Sequence, residues 1–322
     1  MRVLVVGGAG YIGGHVARLA ADRGHAVEVV DNLSTGSVAN LFPEYVFHRG
    51  DILDYPWLSS IMKRGFDAVI HLAAAKAAGE SMLRPEKYSL QNLSGTINIL
   101  NAACEAGVPA LVFSSSAAVY GEPKYLPIDE DHPKEPANYY GFTKLEIERI
   151  LAWYDRLKGL RYAALRYFNA AGYDPEGRVR GLERNPANLI PVIMEAAIGM
   201  RPGFEVFGTD YPTPDGTGVR DYVHVSDLAR AHILALEKLA AGAPSLVVNL
   251  GSGEGLSVLQ ILAEAERISG KRIPTSYSAR RPGDPAKLVA SSEAAARILG
   301  WKAELSNLES LVSTSWKAYS RK

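Results

Sequence analysis

Val3-Leu-Val-Val6-Gly7-Gly-Ala-Gly10-Tyr-Ile-Gly13 opens the 322-residue chain and decides its fold. Four apolar residues make a short buried strand, the glycines make a turn, and His15-Val-Ala-Arg-Leu-Ala-Ala-Asp-Arg carries a helical pattern that stops at Gly24. Gly7, Gly10 and Gly13 allow the tight turn, close approach of backbone to a pyrophosphate, and packing of helix on strand. The helix start offers unpaired N–H groups to the anion. A glycine pattern alone is weak evidence. The next strand, Ala26-Val-Glu-Val-Val30, strengthens it by ending in Asp31, eighteen positions beyond Gly13, where a carboxylate accepts hydrogen bonds from an adenosine ribose. No Lys or Arg lies from Asn32 to Ser37. A 2′-phosphate would meet a carboxylate with no compensating cation, so NAD is expected rather than NADP.

Four more strands follow: Tyr45-Val-Phe-His48, Asp67 to Lys76, Ala110-Leu-Val-Phe113 and Arg161 to Asn169. Their alternation with helical patterns predicts an α/β fold, a doubly wound parallel (Rossmann) sheet, over residues 1–170. Asp51 can bond an adenine edge or lie solvated in a loop. Lys76, after the small residues Ala73, Ala74 and Ala75, is a surface charge or a phosphate ligand. Asn92 reads as the cap of a helix from Leu93 to Glu105. Past residue 170 the composition changes. Gly172, Pro175, Gly177, Gly181 and Pro186 mark a loop region, and residues 171–322 are expected to form a smaller mixed α/β substrate domain, with some segments returning to the first. Ser226 or Asp227 is the expected cap of a helix from Leu228 to Leu239. Val247 to Gly255 imitates a second nucleotide turn, but Ser257-Val-Leu-Gln260 is a capping box and no acid-tipped strand follows.

Composition sets limits. With 47% hydrophobic and 22% charged residues the chain is globular, and 35 basic against 35 acidic residues leave no field to attract nucleic acid or an anionic membrane. No apolar run approaches the ~18 residues of a membrane span. The single cysteine, Cys104, excludes an internal disulfide and a cysteine metal cluster, and the seven histidines lack metal-ligand spacing. A cytoplasmic protein without a metal, acting on neither nucleic acid nor membrane, is expected.

The chemistry gathers around Pro136-Ala-Asn-Tyr139-Tyr140-Gly-Phe-Thr-Lys144. In a helix starting after Pro136, Tyr140 and Lys144 share one face a turn apart. A phenol titrates near pH ~10, so a base working near neutrality needs about 4 kcal/mol of preference for the phenolate. A neighbouring ammonium and a cationic nicotinamide can supply it. Tyr-x-x-x-Lys by itself also describes an ordinary helix surface, and Ser114-Ser-Ser116 by itself an ordinary turn. Together, twenty-four positions apart, they place hydroxyl, phenol and amine over one crevice. Arg280 and Arg281, beside Pro282 and Gly283, suit an anion clamp.

These residues resemble the extended short-chain dehydrogenase/reductase family from Gly7 to about Trp316, and within it the branch that inverts nucleotide-hexoses. The shared part is Gly7-x-x-Gly10-x-x-Gly13 with Tyr140-x-x-x-Lys144. The specific part is Asp31-Asn-Leu-Ser-Thr-Gly36, Phe113 to Gly121, Leu165-Arg-Tyr-Phe-Asn169 and Asp210 to Val225. The resemblance implies reversible interconversion of UDP-galactose and UDP-glucose at C4, by transient hydride transfer to tightly bound NAD, in a homodimer. It implies Tyr140, Lys144 and Ser116 as catalytic residues. It implies NAD contacts from Tyr11, Ile12, Asp31, Asn32, Leu33, Ser34, Thr35, Gly36, Asp51, Ile52, Leu72 to Lys76, Asn92, Lys144 and Phe168. Substrate contacts are implied for Ser116, Tyr140, Asn169, Asn188, Leu189, Glu205, Val206, Phe207, Arg220, Arg281 to Asp284, and Leu288 at the hexose wall, a position linked to acceptance of N-acetylated sugars. Ala118 stands where many members carry Thr. Two other readings compete. A nucleotide-sugar 4,6-dehydratase would need an acid and a base where Ala117-Ala118 stands, and a non-catalytic NAD sensor would need neither Tyr140 nor the arginines.

Overall fold

The computed structural model describes residues 1–184, 186–281 and 284–321. A parallel seven-stranded sheet lies at its centre. It contains β1 (Arg2–Val6), β2 (Ala26–Asp31), β3 (Val46–Arg49), β4 (Ala68–His71), β5 (Ala110–Ser116), β6 (Arg161–Tyr167) and, from far along the chain, β10 (Leu246–Leu250). The strands lie in the order β10-β6-β5-β4-β1-β2-β3. That order reverses direction between β1 and β4, so a crevice opens at their carboxyl ends. Val3 to Val6 are wholly buried because helices cover both faces. Val3 and Val5 point to the helices Tyr11–Asp22 and Val225–Ala240, and Leu4 and Val6 to the helices Tyr55–Met62, Gly95–Glu105 and Tyr139–Lys158.

The expected doubly wound sheet is present, with one strand more than the sequence reading supplies. The run rejected above as a nucleotide turn is itself that strand, Leu246–Leu250 pairing with β6. The helix Val225–Ala240 packs on the same layer, against β4, β5 and β6. Its cap is neither Ser226 nor Asp227 but His224, whose ring accepts a hydrogen bond from the Ser226 N–H at 3.1 Å. Asp227 instead accepts from Leu305 N and Ser306 Oγ, both at 2.8 Å, and ties down the C-terminal segment.

The remaining strands are short. β9 (Val219–His224) pairs in parallel with β7 (Asn169–Ala171) and β13 (Lys287–Leu288) and antiparallel with β11 (Gly255–Ser257). β8 (Phe204–Phe207) and β12 (Thr275–Ser278) form a separate parallel pair. The helices Leu189–Ala197, Val258–Ser269 and Leu308–Tyr319 enclose a second core around Ile193, Met194, Ile261 and Leu311. The Ser257 capping box forms with Gln260 as read. Among the described residues no helix is long and apolar enough to cross a membrane.

Candidate active site

Glycine geometry builds the floor of the crevice. Gly7 has φ +85°, and a Cβ there would stand 2.7 Å from Ala73 N, so only glycine lets the β1 turn lie against the loop after β4. A Cβ on Gly13 would come within 2.1 Å of the Gly7 carbonyl oxygen. Gly10 caps the helix Tyr11–Asp22 with no side chain, leaving its first N–H groups free. At the tip of β2 the Asp31 carboxylate accepts from Ala9 N at 3.0 Å and Leu33 N at 2.8 Å, and burial raises its pKa. Leu33 adopts φ +60° to wrap the Asn32–Gly36 turn around that carboxylate. Asp51 accepts from Asn32 Nδ2 at 2.8 Å and Leu53 N at 2.9 Å, while Ile52 packs on Gly95. Asp31 to Gly36, Asp51, Ile52 and Leu72 to Ala75 thus line the carboxyl ends of β2, β3 and β4. A glycine cradle that any Cβ would fill, ending at an acid on the next strand, fits a dinucleotide with a free ribose.

Three side chains on this side have distant partners, and for Asn92 the expected role as a cap is corrected. The Tyr11 hydroxyl donates to the Gly172 carbonyl at 2.5 Å, so this side chain joins the two layers and only its backbone faces the turn. Lys76 Nζ lies 2.5 Å from Glu183 Oε1, paired across the crevice mouth rather than free. Asn92 caps nothing. The helix begins at Gly95, after a π-helical stretch Ser89–Ser94, and the buried Asn92 amide accepts from Ala75 N at 2.8 Å and donates to Ala75 O at 3.0 Å and Thr143 Oγ1 at 3.1 Å. It clamps the Ala73–Lys76 loop to the Tyr140 helix.

That helix spans Tyr139–Lys158. Asn138 caps it through Gly141 N at 2.9 Å, and the left-handed Gly159 ends it. A Cβ on Gly141 would stand 2.3 Å from the Ala118 carbonyl oxygen, so this glycine lets the helix start press against the turn that follows β5. Ser116, at the end of β5, accepts from Ala118 N at 3.2 Å, and its hydroxyl pulls the Tyr140 pKa down. Burial nevertheless keeps the Tyr140 pKa above its ordinary value. Lys144 lies in the same crevice but points its ammonium at the Ser114 carbonyl, 2.8 Å away, over the Phe113 ring at 4.7 Å and 5.8 Å from the Tyr140 ring. Burial lowers its pKa to about 7, against an opposing pull from Glu148. In the protein by itself desolvation dominates both groups.

On the opposite wall the expected substrate residues gather on the short strands. Asn169 Nδ2 donates to the Asp221 carbonyl at 2.9 Å. Asn188 caps the helix Leu189–Ala197 through its backbone only, so its side-chain amide is not used there, and Leu189 packs on the second core. On β8, Glu205 accepts from Ser278 Oγ, Phe207 lies under the Arg281 guanidinium at 3.8 Å, and Val206 faces the core, which leaves only its backbone for a ligand. Arg220 pairs with Asp284 at 2.5 Å and stands in register with Leu288, which packs beside Phe168 and Ala290. Arg280 is removed from the expected clamp, since it binds Asp210 at 2.7 Å and covers the Tyr211 ring at 4.2 Å. Pro282 and Gly283 lie outside the described residues. Among the described residues no three His, Cys, Asp or Glu side chains cluster as a metal site would require.

Sequence reading passed over Gly141, Glu148 and Arg166. Glu148 had a signal: it continues the four-residue spacing of Tyr140 and Lys144.

A doubly wound sheet with a glycine cradle, an acid-tipped second strand and Ser, Tyr and Lys converging on the crevice defines a dinucleotide-dependent α/β enzyme class. The model of the NAD dependent epimerase/dehydratase family matches residues 3–251. A UDP-glucose 4-epimerase from Lacticaseibacillus casei is 46% identical over 318 residues, 98% of this chain and 96% of that one. The crystal structure of UDP-glucose 4-epimerase from Brucella ovis in complex with NAD superposes with TM-score 0.96 at 45% identity, covering 99% of this chain and 98% of that one. The UDP-Glc/GlcNAc 4-epimerase from Campylobacter jejuni superposes with TM-score 0.88 at 34% identity, covering 100% and 99%. The chain belongs to the NAD dependent epimerase/dehydratase family.

Proposed function

We propose that this protein interconverts UDP-glucose and UDP-galactose by inverting C4 of the hexose, holding NAD throughout the cycle. The observation that carries the reading is the convergence of Ser116, at the end of β5, and Tyr140, at the start of the helix Tyr139–Lys158, on the rim of the glycine-cradled crevice, where Gly141 lets that helix press on the turn after β5. The oxidised nicotinamide supplies a reversible hydride acceptor and a positive charge. Tyr140 removes the proton of the sugar 4-hydroxyl, and Ser116 donates a hydrogen bond to the same oxygen. Lys144 holds the nicotinamide ribose and, while protonated, favours the phenolate. Because burial alone pushes the Tyr140 pKa up, the positive charges beside it have to overcome that desolvation as well as the ordinary phenol value. Arg220 and Arg281 hold the diphosphate and leave the hexose free to turn, so that the 4-keto sugar presents its other face. Ala117-Ala118 offers no acid and base for water elimination, which disfavours a dehydratase.

The working unit is a homodimer. In support, the helices Gly95–Glu105 and Tyr139–Lys158 lie side by side, with Tyr154 donating to Asn101 at 2.6 Å, and expose Ile97, Phe142, Trp153 and Leu157. Light scattering on the purified protein reads the assembly directly, and a monomer at micromolar concentration would overturn it.

The activity is tested by incubating the purified protein with UDP-galactose and no added cofactor, beside Tyr140→Phe. The wild-type protein should form UDP-glucose. The variant should lose about three orders of magnitude in kcat while releasing the same amount of NAD on denaturation. Activity within tenfold of wild type would remove Tyr140 from its role.

A further inference from the structure

The face of the catalytic helix does not end at Lys144. Tyr140, Lys144 and Glu148 recur at four-residue spacing, and the last two each bond a serine of β5. The Ser114 carbonyl accepts from Lys144 at 2.8 Å, and the Ser115 hydroxyl donates to Glu148 Oε1 at 2.5 Å. Glu148 and Lys144 are both buried. Arg166 stands opposite Ser115 in the register of β6 and grips the Glu148 carboxylate at 2.6, 2.9 and 3.2 Å. Its other arm donates to the Tyr120 hydroxyl at 2.9 Å, which donates to Asn249 Oδ1 at 2.6 Å. The catalytic helix is thereby bonded to β5, β6 and β10 at once.

We infer that Glu148, with Arg166 as its counter-ion, is a positioning residue for Lys144: it seats the helix against β5 and is the anion that keeps the Lys144 amine charged. The inference rests on reading Lys144 as the amine beside the cofactor ribose. Other groups around Lys144 supply no negative charge. His71 from β4 and His232 from the helix Val225–Ala240 are held neutral by burial, Tyr140 and the Tyr167 of β6 have phenols pushed up, and Arg166 is positive. Desolvation lowers the amine and the Glu148 charge opposes it, the balance lying at about 7.

The test titrates the 13Cε resonance of Lys144 in the NAD-loaded protein, assigned with Lys144→Arg, alongside the pH profile of kcat. Glu148→Gln should lower the Lys144 midpoint by about one pH unit and move the alkaline limb of kcat the same way. Glu148→Asp should recover most of both. The double variant Glu148→Gln with Arg166→Gln, in which no charge is stranded, should show a smaller drop of about half a unit, and it carries the test if the single variant fails to fold. A midpoint that stays at the wild-type value in the folded variant overturns the proposal, even where thermal stability has fallen. An inactive wild-type protein would instead sink the proposed epimerisation, since the titration would still be readable.

Discussion

The two walls of the crevice are built on different terms. On the cofactor and proton-transfer side the groups leave the ends of buried strands or the start of a 20-residue helix, and each is held by buried partners. Asp31 ends β2, Ser116 ends β5, and Lys144 is bonded to Ser114. On the proposed sugar-nucleotide side the groups sit on short strands or in the segments beside them. There Arg220 leans on a single carboxylate and Arg281 on a single ring. The contrast teaches what an inversion asks of a protein: hydride and proton travel short fixed distances, whereas the diphosphate has only to be tethered while the ring turns.

The largest effect is expected from acid, which attacks buried rings behind both walls. Burial lowers the pKa of His15 and His232 to about 4 and of His71 and His224 to about 3. Their folded values lie below the unfolded one near ~6.5, so only the unfolded chain takes up protons as pH falls through that range, and stability drops until about pH 3, less steeply below about 4. Four such rings remove on the order of 5 kcal/mol per pH unit once the unfolded rings are titrating fully. Urea midpoints should hold between pH 8 and 7 and fall steeply from 6 to 5. A flat profile would mean the rings are not held neutral.

Gly141→Ala comes next. It forces a Cβ to 2.3 Å from the Ala118 carbonyl, parts Tyr140 from Ser116, and should cost about a hundredfold in kcat with NAD retained. Wild-type turnover in this variant would show that the rigid wall tolerates slack. Asn92→Ala strands the backbone of Ala75 and should cost about 1–3 kcal/mol in thermal unfolding, with faster loss of NAD on dialysis. The smallest effect falls on the compliant wall. Arg281→Ala should raise KM about tenfold and leave kcat within about twofold, as removal of a tether does. A parallel fall in kcat would show that this wall also orients the hexose.

Much of the cofactor wall was legible because it is local. Gly7, Gly10, Gly13 and Asp31 lie within twenty-five positions, and the steric demand on each glycine comes from backbone close by in chain or in the next strand. Tyr140 and Lys144 were legible through helical spacing taken together with the serine run that ends β5. Asn92 was misread because capping is a prior from local composition, while its true partners, Ala75 and Thr143, are 17 and 51 positions away. The side-chain partners of Lys76 and Tyr11, Glu183 and Gly172, are likewise far along the chain.

Amino-acid order by itself determined the parallel α/β layer, the preference for NAD over NADP, and the Ser, Tyr and Lys trio. Each of these follows from φ freedom, charge sign or residue period, which are properties of a few neighbouring residues. Tertiary structure alone decided that β10 and the helix Val225–Ala240 complete the first layer, that Glu148 meets Arg166, and that Lys144 is brought to about 7. Those outcomes depend on which groups lose water together, and desolvation is a property of the packed interior rather than of any segment.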